Sequence, residues 1–195
     1  FAAEKPVERA VLEITALGVY KAEINGRRGG DFVLAPGWTS YDHRLQVQAY
    51  DVTALLQKEN DLRVTVGRGW FSSPMPGWMD TEDKRRRYRQ PCGLIAMLSL
   101  TYADGSSALF PTGPAWQWAE SPVRFSEIYD GEHVDATVEP SEWAAVSVLD
   151  WSRDILIPQE GEIIREQDRI AAQRVFVTPR GETVVDFGQE VTGYV

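Results

Sequence analysis

The feature of this sequence that most constrains its fold is an alternation of apolar and polar residues with a period of two. In residues 20–24 apolar side chains take every second position, and the same pattern returns at residues 45–49 and 62–66. Successive side chains of a β-strand point to opposite faces, so this period is typical of half-buried strands. Helical periodicity is nearly absent, apart from one short helical turn predicted at residues 51–56, with Asp51 or Thr53 as its cap. The pattern therefore predicts an all-β protein.

Turn signals separate these strands and indicate how they connect. Asn25-Gly26 is the pair most typical of a two-residue hairpin turn, because both central positions of that turn need a positive φ. Asp104-Gly105 similarly turns the long apolar run 95–102 back into the next apolar run. Many short strands separated by Gly, Pro, Asn and Asp predict an antiparallel β-sandwich or jelly roll.

A change of composition near residue 140 predicts a domain boundary. An irregular stretch that contains several prolines and tryptophans follows this point, and strand-like runs resume at residues 174–177 and 183–187. We therefore expect residues 1–139 to form one sandwich, and residues 140–195 to contain a linker and the start of a second, incomplete β-sandwich. The chain begins at Phe1 and ends in a strand-like run, so both ends are interpreted as cuts.

Composition argues against several classes of function. A formal net charge of −9 repels phosphate backbones and disfavours nucleic acid as a partner. Residues 84–89 form one basic run, interpreted as a solvated loop or as a patch for anionic sugars. No apolar run approaches the ~20 residues that span a membrane. Cys92 is the only cysteine, which excludes an internal disulfide and predicts a buried, inert thiol beside an apolar run. The two histidines, His43 and His133, lack metal-ligand spacing.

Tryptophans beside glycine and proline are the main candidates for sugar binding. An indole stacks well on the flat C–H face of a sugar and keeps a polar N–H available. Trp38 follows a tight turn and is interpreted as a brace for that turn. Trp70 and Trp78 flank a proline-rich loop, where core packing and sugar stacking both stay open. The candidate sugar-binding residues are Asn25, Trp70, Ser72, Ser73, Trp78 and Asp80.

An acidic stretch at residues 127–135 offers four carboxylates. Glycoside hydrolysis needs two carboxyl groups about 5 to 9.5 Å apart, but any acidic loop can supply such a pair. Interdomain hydrogen bonding, cation binding and a solvated turn are the alternatives, and a hydrolase that uses Asp130 and Glu132 is the least favoured. No phosphate-binding loop, nucleophile elbow or His-Glu-x-x-His run occurs, so no catalytic residue is predicted. The candidate interdomain residues are Tyr129, Asp130, Glu132 and Asp135.

Several segments together resemble one known family. In chain order they are residues 20–28 (YKAEINGRR), 34–41 (LAPGWTSY), 50–53 (YDVT), 67–70 (GRGW), 128–136 (IYDGEHVDA) and 185–189 (VDFGQ). The first five resemble the N-terminal β-sandwich of bacterial α-L-rhamnosidases, glycoside hydrolase family 78. The last resembles the start of the concanavalin-like sandwich that follows it. The resemblance implies a galactose-binding-like fold for the first domain.

The resemblance also implies what the parent protein does. Enzymes of this family cleave terminal α-L-rhamnose by an inverting mechanism, with catalytic carboxylates on a downstream α/α-barrel for which this chain has no helical periodicity. The chain is therefore expected to be a non-catalytic accessory region, with a purely structural scaffold as the alternative. Its implied partners are rhamnose-containing glycans or glycosides and the downstream catalytic domain of the same polypeptide. Self-association through the truncated end is also expected.

Some family members carry a related sandwich that binds rhamnose through calcium. Here the turn at residues 24–26 offers an amide without an adjacent aspartate, although Asp31 could contribute. Calcium prefers several carboxylates among six to eight oxygens, so no metal or cofactor is predicted. Glu190 stands where the family usually has Asn after Phe-Gly-Gln. The compartment stays undetermined, with the cytoplasm slightly favoured over secretion.

Overall fold

The structure, a computed structural model, describes residues 1–74 and 91–191, and its regular secondary structure is almost entirely β-strand. Its helical elements in these ranges are a 3-10 turn at Thr53–Leu55 and the one-turn helix α1 at Gly69–Ser72. The all-β prediction is confirmed. In chain order the strands are β1 (Val7–Leu17), β2 (Val19–Ile24), β3 (Arg27–Arg28), β4 (Leu45–Asp51), β5 (Leu62–Gly67), β6 (Gly93–Tyr102), β7 (Ser107–Pro111), β8 (Gln117–Trp118), β9 (Val123–Glu127), β10 (Gly131–Val134), β11 (Ala144–Ala145), β12 (Leu156–Pro158), β13 (Arg174–Val177) and β14 (Thr183–Asp186).

Two sheets form the sandwich. The larger has the strand order β12-β4-β1-β6-β7, and the smaller has the order β3-β2-β5. Both are antiparallel except at one edge, where β12 runs parallel to β4. Short two-stranded ladders join β9 with β10 and β8 with β11. The predicted antiparallel sandwich is therefore confirmed, with a parallel edge strand that the sequence pattern did not indicate.

The main core lies between the two sheets. Alternate residues of β1 and β6, such as Leu12 and Leu98, are fully buried against alternate residues of β2, such as Ile24. Full burial of one such side chain contributes about 1.5–3 kcal/mol. The period of two therefore identified the buried face correctly for β2. It was misleading for β4, where polar Gln48 is buried and Ala49 is exposed.

Glycine lets the chain pass from one sheet to the other. Gly18 separates β1 from β2 with a φ of +134°, and a Cβ there would lie 2.3 Å from the carbonyl oxygen of Gly67. Any side chain would thus collide with backbone. The predicted hairpin turn is also present: Asn25 and Gly26 have φ of 53° and 73° between paired residues of β2 and β3.

A second, smaller apolar cluster lies apart from the main core. It joins the end of β1, the loop before β4, helix α1 and the segment around β12. Its members are Leu17, Tyr41, Leu45 and Phe71, with Trp70, Trp151, Ile155 and Leu156 packed against them. This cluster positions the candidate site.

The described chain forms two compact units, Phe1–Ile164 and Arg165–Val195. The first extends beyond the predicted boundary near residue 140, because β12 adds to the larger sheet. In the second, β13 and β14 form an antiparallel hairpin. Division of the chain into domains at 139/140, and the identity of the tail as an incomplete sandwich, stay predictions. The described residues contain no helix with the length and hydrophobicity that a membrane span requires.

Candidate functional site

Two indole rings stack on the surface of the first unit. The ring centroids of Trp38 and Trp70 are 6.4 Å apart and their planes differ by only 6°. Trp70 is half-buried, whereas 51% of Trp38 is exposed. The sequence interpretation of Trp38 as a brace within its turn missed this exposure. The signal that could have found it is the shared Gly-Trp pattern of residues 37–38 and 69–70.

The loop that carries Trp38 is held by local hydrogen bonds. The N–H of Gly37 donates to the carbonyl of Leu34 over 2.9 Å, and the hydroxyl of Tyr41 donates to the carbonyl of Gly37 over 3.0 Å. Tyr41 itself is fully buried in the second cluster. The exposed indole of Trp38 therefore projects from a turn that is held in place by the buried Tyr41.

Helix α1 carries Trp70 and is fixed by its neighbours. Gly69 begins it with a φ of +52°, where a Cβ would lie 2.6 Å from a methyl group of Val19. Phe71 is fully buried and meets two rings edge to face, Tyr41 at 5.4 Å and Trp151 at 5.8 Å between centroids. One side of the helix thus packs inward and leaves Trp70 beside Trp38.

An ion pair fixes the residue that precedes this helix. The guanidinium of Arg68 contacts the carboxylate of Glu127, whose side chain is only 2% exposed. Cys92 lies close by, with its thiol donating to the carbonyl of Gly67 over 3.7 Å. Burial raises the pKa of the Cys92 thiol. The residue is partly buried, not fully buried as the sequence predicted, and its inertness stays a prediction. Glu127 was not singled out by the sequence, because nothing in an acidic run distinguishes a buried member from its exposed neighbours.

The two candidate serines differ in accessibility. Ser72 is half-buried, whereas Ser73 is 1% exposed and its hydroxyl has no hydrogen-bond partner among the described residues. Ser72 is therefore the serine more accessible to a ligand beside Trp70. The other two candidates of this loop, Trp78 and Asp80, lie outside the described residues.

The amide of Asn25 is engaged inside the fold. It donates to the carbonyl of Leu55 over 3.0 Å and to the side-chain oxygen of Asn60 over 2.9 Å. Its own oxygen accepts the N–H of Asp61 over 3.0 Å. These bonds tie the hairpin turn to the loop before β5. A contact between Asn25 and a sugar hydroxyl would have to replace one of them, and this role stays a prediction.

The candidate interdomain residues lie on an exposed hairpin. Tyr129 and Asp130 occupy the turn between β9 and β10, Glu132 lies on β10, and all three are exposed. Asp135 is also exposed, and its carboxylate accepts the N–H of Thr137 over 3.0 Å and its hydroxyl over 2.6 Å. These bonds hold the pKa of Asp135 below its usual range. Across residues 1–74 and 91–191, no three His, Cys, Asp or Glu side chains are grouped to hold a metal ion.

Comparison with known proteins gives one consistent result. The model of the α-L-rhamnosidase N-terminal domain family matches residues 5–175. An α-L-rhamnosidase of Streptomyces avermitilis is 34% identical over 98% of this chain and 19% of its own length. One from Alteromonas sp. is 32% identical over 99% of this chain and 22% of its own length.

Solved structures agree. Native α-L-rhamnosidase from Aspergillus terreus superimposes with a TM-score of 0.89 at 36% identity, over 97% of this chain and 23% of that chain. The Streptomyces avermitilis enzyme, solved in complex with L-rhamnose, gives 0.85 at 34% identity, over 95% of this chain and 19% of that chain. The chain therefore spans about a fifth of the length of the relatives that it matches.

Proposed function

Because the chain belongs to the α-L-rhamnosidase N-terminal domain family, we propose that it is a non-catalytic accessory module of an α-L-rhamnosidase that helps to hold rhamnose-containing glycans. The parent enzyme would hydrolyse terminal α-L-rhamnose by an inverting mechanism on a downstream α/α-barrel. The chain matches only about a fifth of its relatives' length, which supports an accessory role.

The stacked pair of Trp38 and Trp70 carries the sugar-binding part of the proposal. Two parallel indoles offer an apolar platform with polar N–H groups, which suits a sugar that has C–H faces and ring hydroxyls. Both rings project from anchored elements, so little conformational entropy would be lost on binding. Ser72 supplies a partly exposed hydroxyl two residues beyond Trp70.

The affinity of this site for a sugar should be low, and the site should be useful only when it is tethered to the catalytic domain. Stacking and two or three hydrogen bonds that compete with water correspond to millimolar dissociation constants, about 4 kcal/mol. Such a site becomes useful when it shares a polypeptide with the catalytic domain, because tethering raises the effective concentration of the glycan. The exposed hairpin of Tyr129 and Asp130 is proposed to face that domain.

The test is titration of the chain with L-rhamnose, with and without calcium, followed through the indole N–H signals. Shifts at Trp38 or Trp70 that disappear in Trp70→Ala but persist in Trp143→Ala support the site. Trp143 is a suitable control because it is 46% exposed and belongs to neither apolar cluster. No shift at about 50 mM sugar, well above the expected millimolar range, would refute it.

A structural scaffold is the second candidate. Two observations favour it: the amide of Asn25 is fully used within the fold, and Ser73 is buried. In that case Trp38 and Trp70 would meet another part of the parent protein instead of a sugar. Absence of any rhamnose-dependent shift would leave this reading in place.

A further inference from the structure

A short segment at the edge of the larger sheet packs against the same apolar cluster as Trp70. We call residues 151–160 the strap. The N–H of Leu45 donates to the carbonyl of Ile155 over 2.8 Å, and the N–H of Gln159 donates to the carbonyl of Val47 over 3.1 Å. Between these bonds Leu156 pairs with Leu45 in the parallel ladder of β12 and β4. The strap is thus fixed to the sheet by main-chain hydrogen bonds at both ends of the ladder.

The apolar side chains of the strap enter the second cluster, the same cluster that contains α1. Trp151 meets Phe71 edge to face at 5.8 Å and 77°, and Ile155 and Leu156 pack against the same buried residues. Phe71 follows Trp70 in the same helical turn. The strap therefore contacts the buried side of the helix that presents Trp70.

Helix α1 is too short to hold its orientation without tertiary contacts. It contains four residues, and neither end has a side-chain cap. Helices this short are not stable by themselves and owe their geometry to tertiary packing. Here that packing includes the edge-to-face contacts of Phe71 with Tyr41 and with Trp151. Since Tyr41 belongs to the loop that carries Trp38, the cluster links both indoles.

We propose that Trp151 is a positioning residue that sets the orientation of Trp70 against Trp38 through Phe71. Loss of the Trp151 ring removes one of the edge-to-face contacts of Phe71, and α1 then turns or fluctuates. The parallel arrangement of the two indoles is lost with it. The consequence for sugar rests on the proposed function: affinity falls because the platform is no longer preorganised.

The positioning claim is measured without sugar. The chain is labelled with 5-fluorotryptophan, which places one ¹⁹F reporter on each of its seven tryptophans, and signals are assigned by single Trp→Phe changes. We expect Trp151→Ala to shift or broaden the signals of Trp38 and Trp70. Trp151→Phe should restore them largely, because a phenyl ring keeps an edge-to-face contact with Phe71. Trp143→Ala should leave both signals in place.

Two results would overturn the proposal. One is a folded Trp151→Ala protein with Trp38 and Trp70 signals unchanged. The other is an equal disturbance in Trp151→Phe and Trp151→Ala, which would indicate general loosening of the strap. If Trp151→Ala does not fold, Trp151→Leu replaces it, since leucine keeps apolar volume without a ring edge. Altered indole signals with no measurable rhamnose binding in the wild type would leave the positioning intact and refute only the sugar-binding function.

Discussion

The hydroxyl of Tyr20 donates a 2.7 Å hydrogen bond to the side-chain oxygen of Gln48, and so joins the two sheets across their interior. Tyr20 belongs to β2 of the smaller sheet and Gln48 to β4 of the larger. The amide of Gln48 donates in turn to the side-chain oxygen of Gln159 in the strap, also over 2.7 Å. Tyr50 adds a hydroxyl 3.1 Å from that of Tyr20. A chain of polar groups thus runs from the core to the strap.

Removal of the Tyr20 hydroxyl should destabilise the sandwich. Tyr20→Phe leaves a buried amide oxygen on Gln48 without its donor, which costs about 1–3 kcal/mol. The measurement is the free energy of unfolding from urea titration. Tyr102→Phe is the matched control, since Tyr102 is equally buried and its hydroxyl makes no hydrogen bond to another described residue. Equal effects of the two substitutions would contradict the assigned role.

The ion pair of Arg68 and Glu127 should contribute more than an exposed pair. Arg68→Ala removes the guanidinium that contacts the carboxylate of Glu127, whose side chain is only 2% exposed. Because Arg68 is itself 43% exposed, the full cost of a buried pair is discounted, and we expect a loss of about 1–3 kcal/mol. Arg63→Ala breaks a pair with Asp61 that is exposed on both sides and should cost under about 1 kcal/mol. The free energies of unfolding of the two variants, from thermal or urea unfolding, provide the comparison.

The turn residue Asn25 should respond differently to glycine and alanine. Its φ of 53° suits glycine and strains alanine, while both replacements lose its hydrogen bonds to Leu55, Asn60 and Asp61. We expect Asn25→Ala to be less stable than Asn25→Gly by about 1–2 kcal/mol, which is the cost of a left-handed conformation. Equal stability in urea titration would show that the turn had changed conformation.

Cys92 should react slowly and only at high pH. Burial raises the pKa of its thiol, so the protein keeps the thiol proton at a pH where a free cysteine has become a thiolate. Alkylation by iodoacetamide should therefore have its midpoint above that of glutathione. The folded state also binds more protons than the unfolded state, so the stability that this group contributes should fall as the pH rises past the ordinary thiol range. A Cys92→Ser variant provides the control for both effects.

The hairpin of the second unit should promote self-association. Val175 and Val185 pair directly across the ladder and Val177 lies two residues along, so all three share one face. They are 64%, 49% and 65% exposed. Two-stranded hairpins have only marginal stability by themselves in water. An exposed apolar face of this kind favours association with another apolar surface. Sedimentation should show association that rises with concentration and weakens in Val175→Lys. A monomer at millimolar protein would contradict this.

Local patterns predicted the strands and turns, and tertiary contacts decided the rest. Asn25-Gly26 could be recognised because its backbone requirement is local. Strand β12 has only three residues and no alternation, so its parallel pairing with β4 depends on contacts that residue order does not reveal. The same pairing explains why Gln48 is buried, since Gln159 of the strap supplies a partner for its amide. Exposure of Trp38 likewise depends on packing beneath its turn.

The central strand of the larger sheet acquires its main partner late. The register pairs Leu17 with Gly93 and Val7 with Tyr102, so the N-terminal strand pairs with a segment far along the chain. During synthesis at about 5–20 residues per second, an apolar β1 would wait several seconds outside the ribosome before β6 emerges. Until then, the edge of β1 that pairs with β6 in the finished sheet is open to the strands of neighbouring nascent chains. Closure of the sandwich therefore has to follow the synthesis of residues 93–102, however early β1 itself is made.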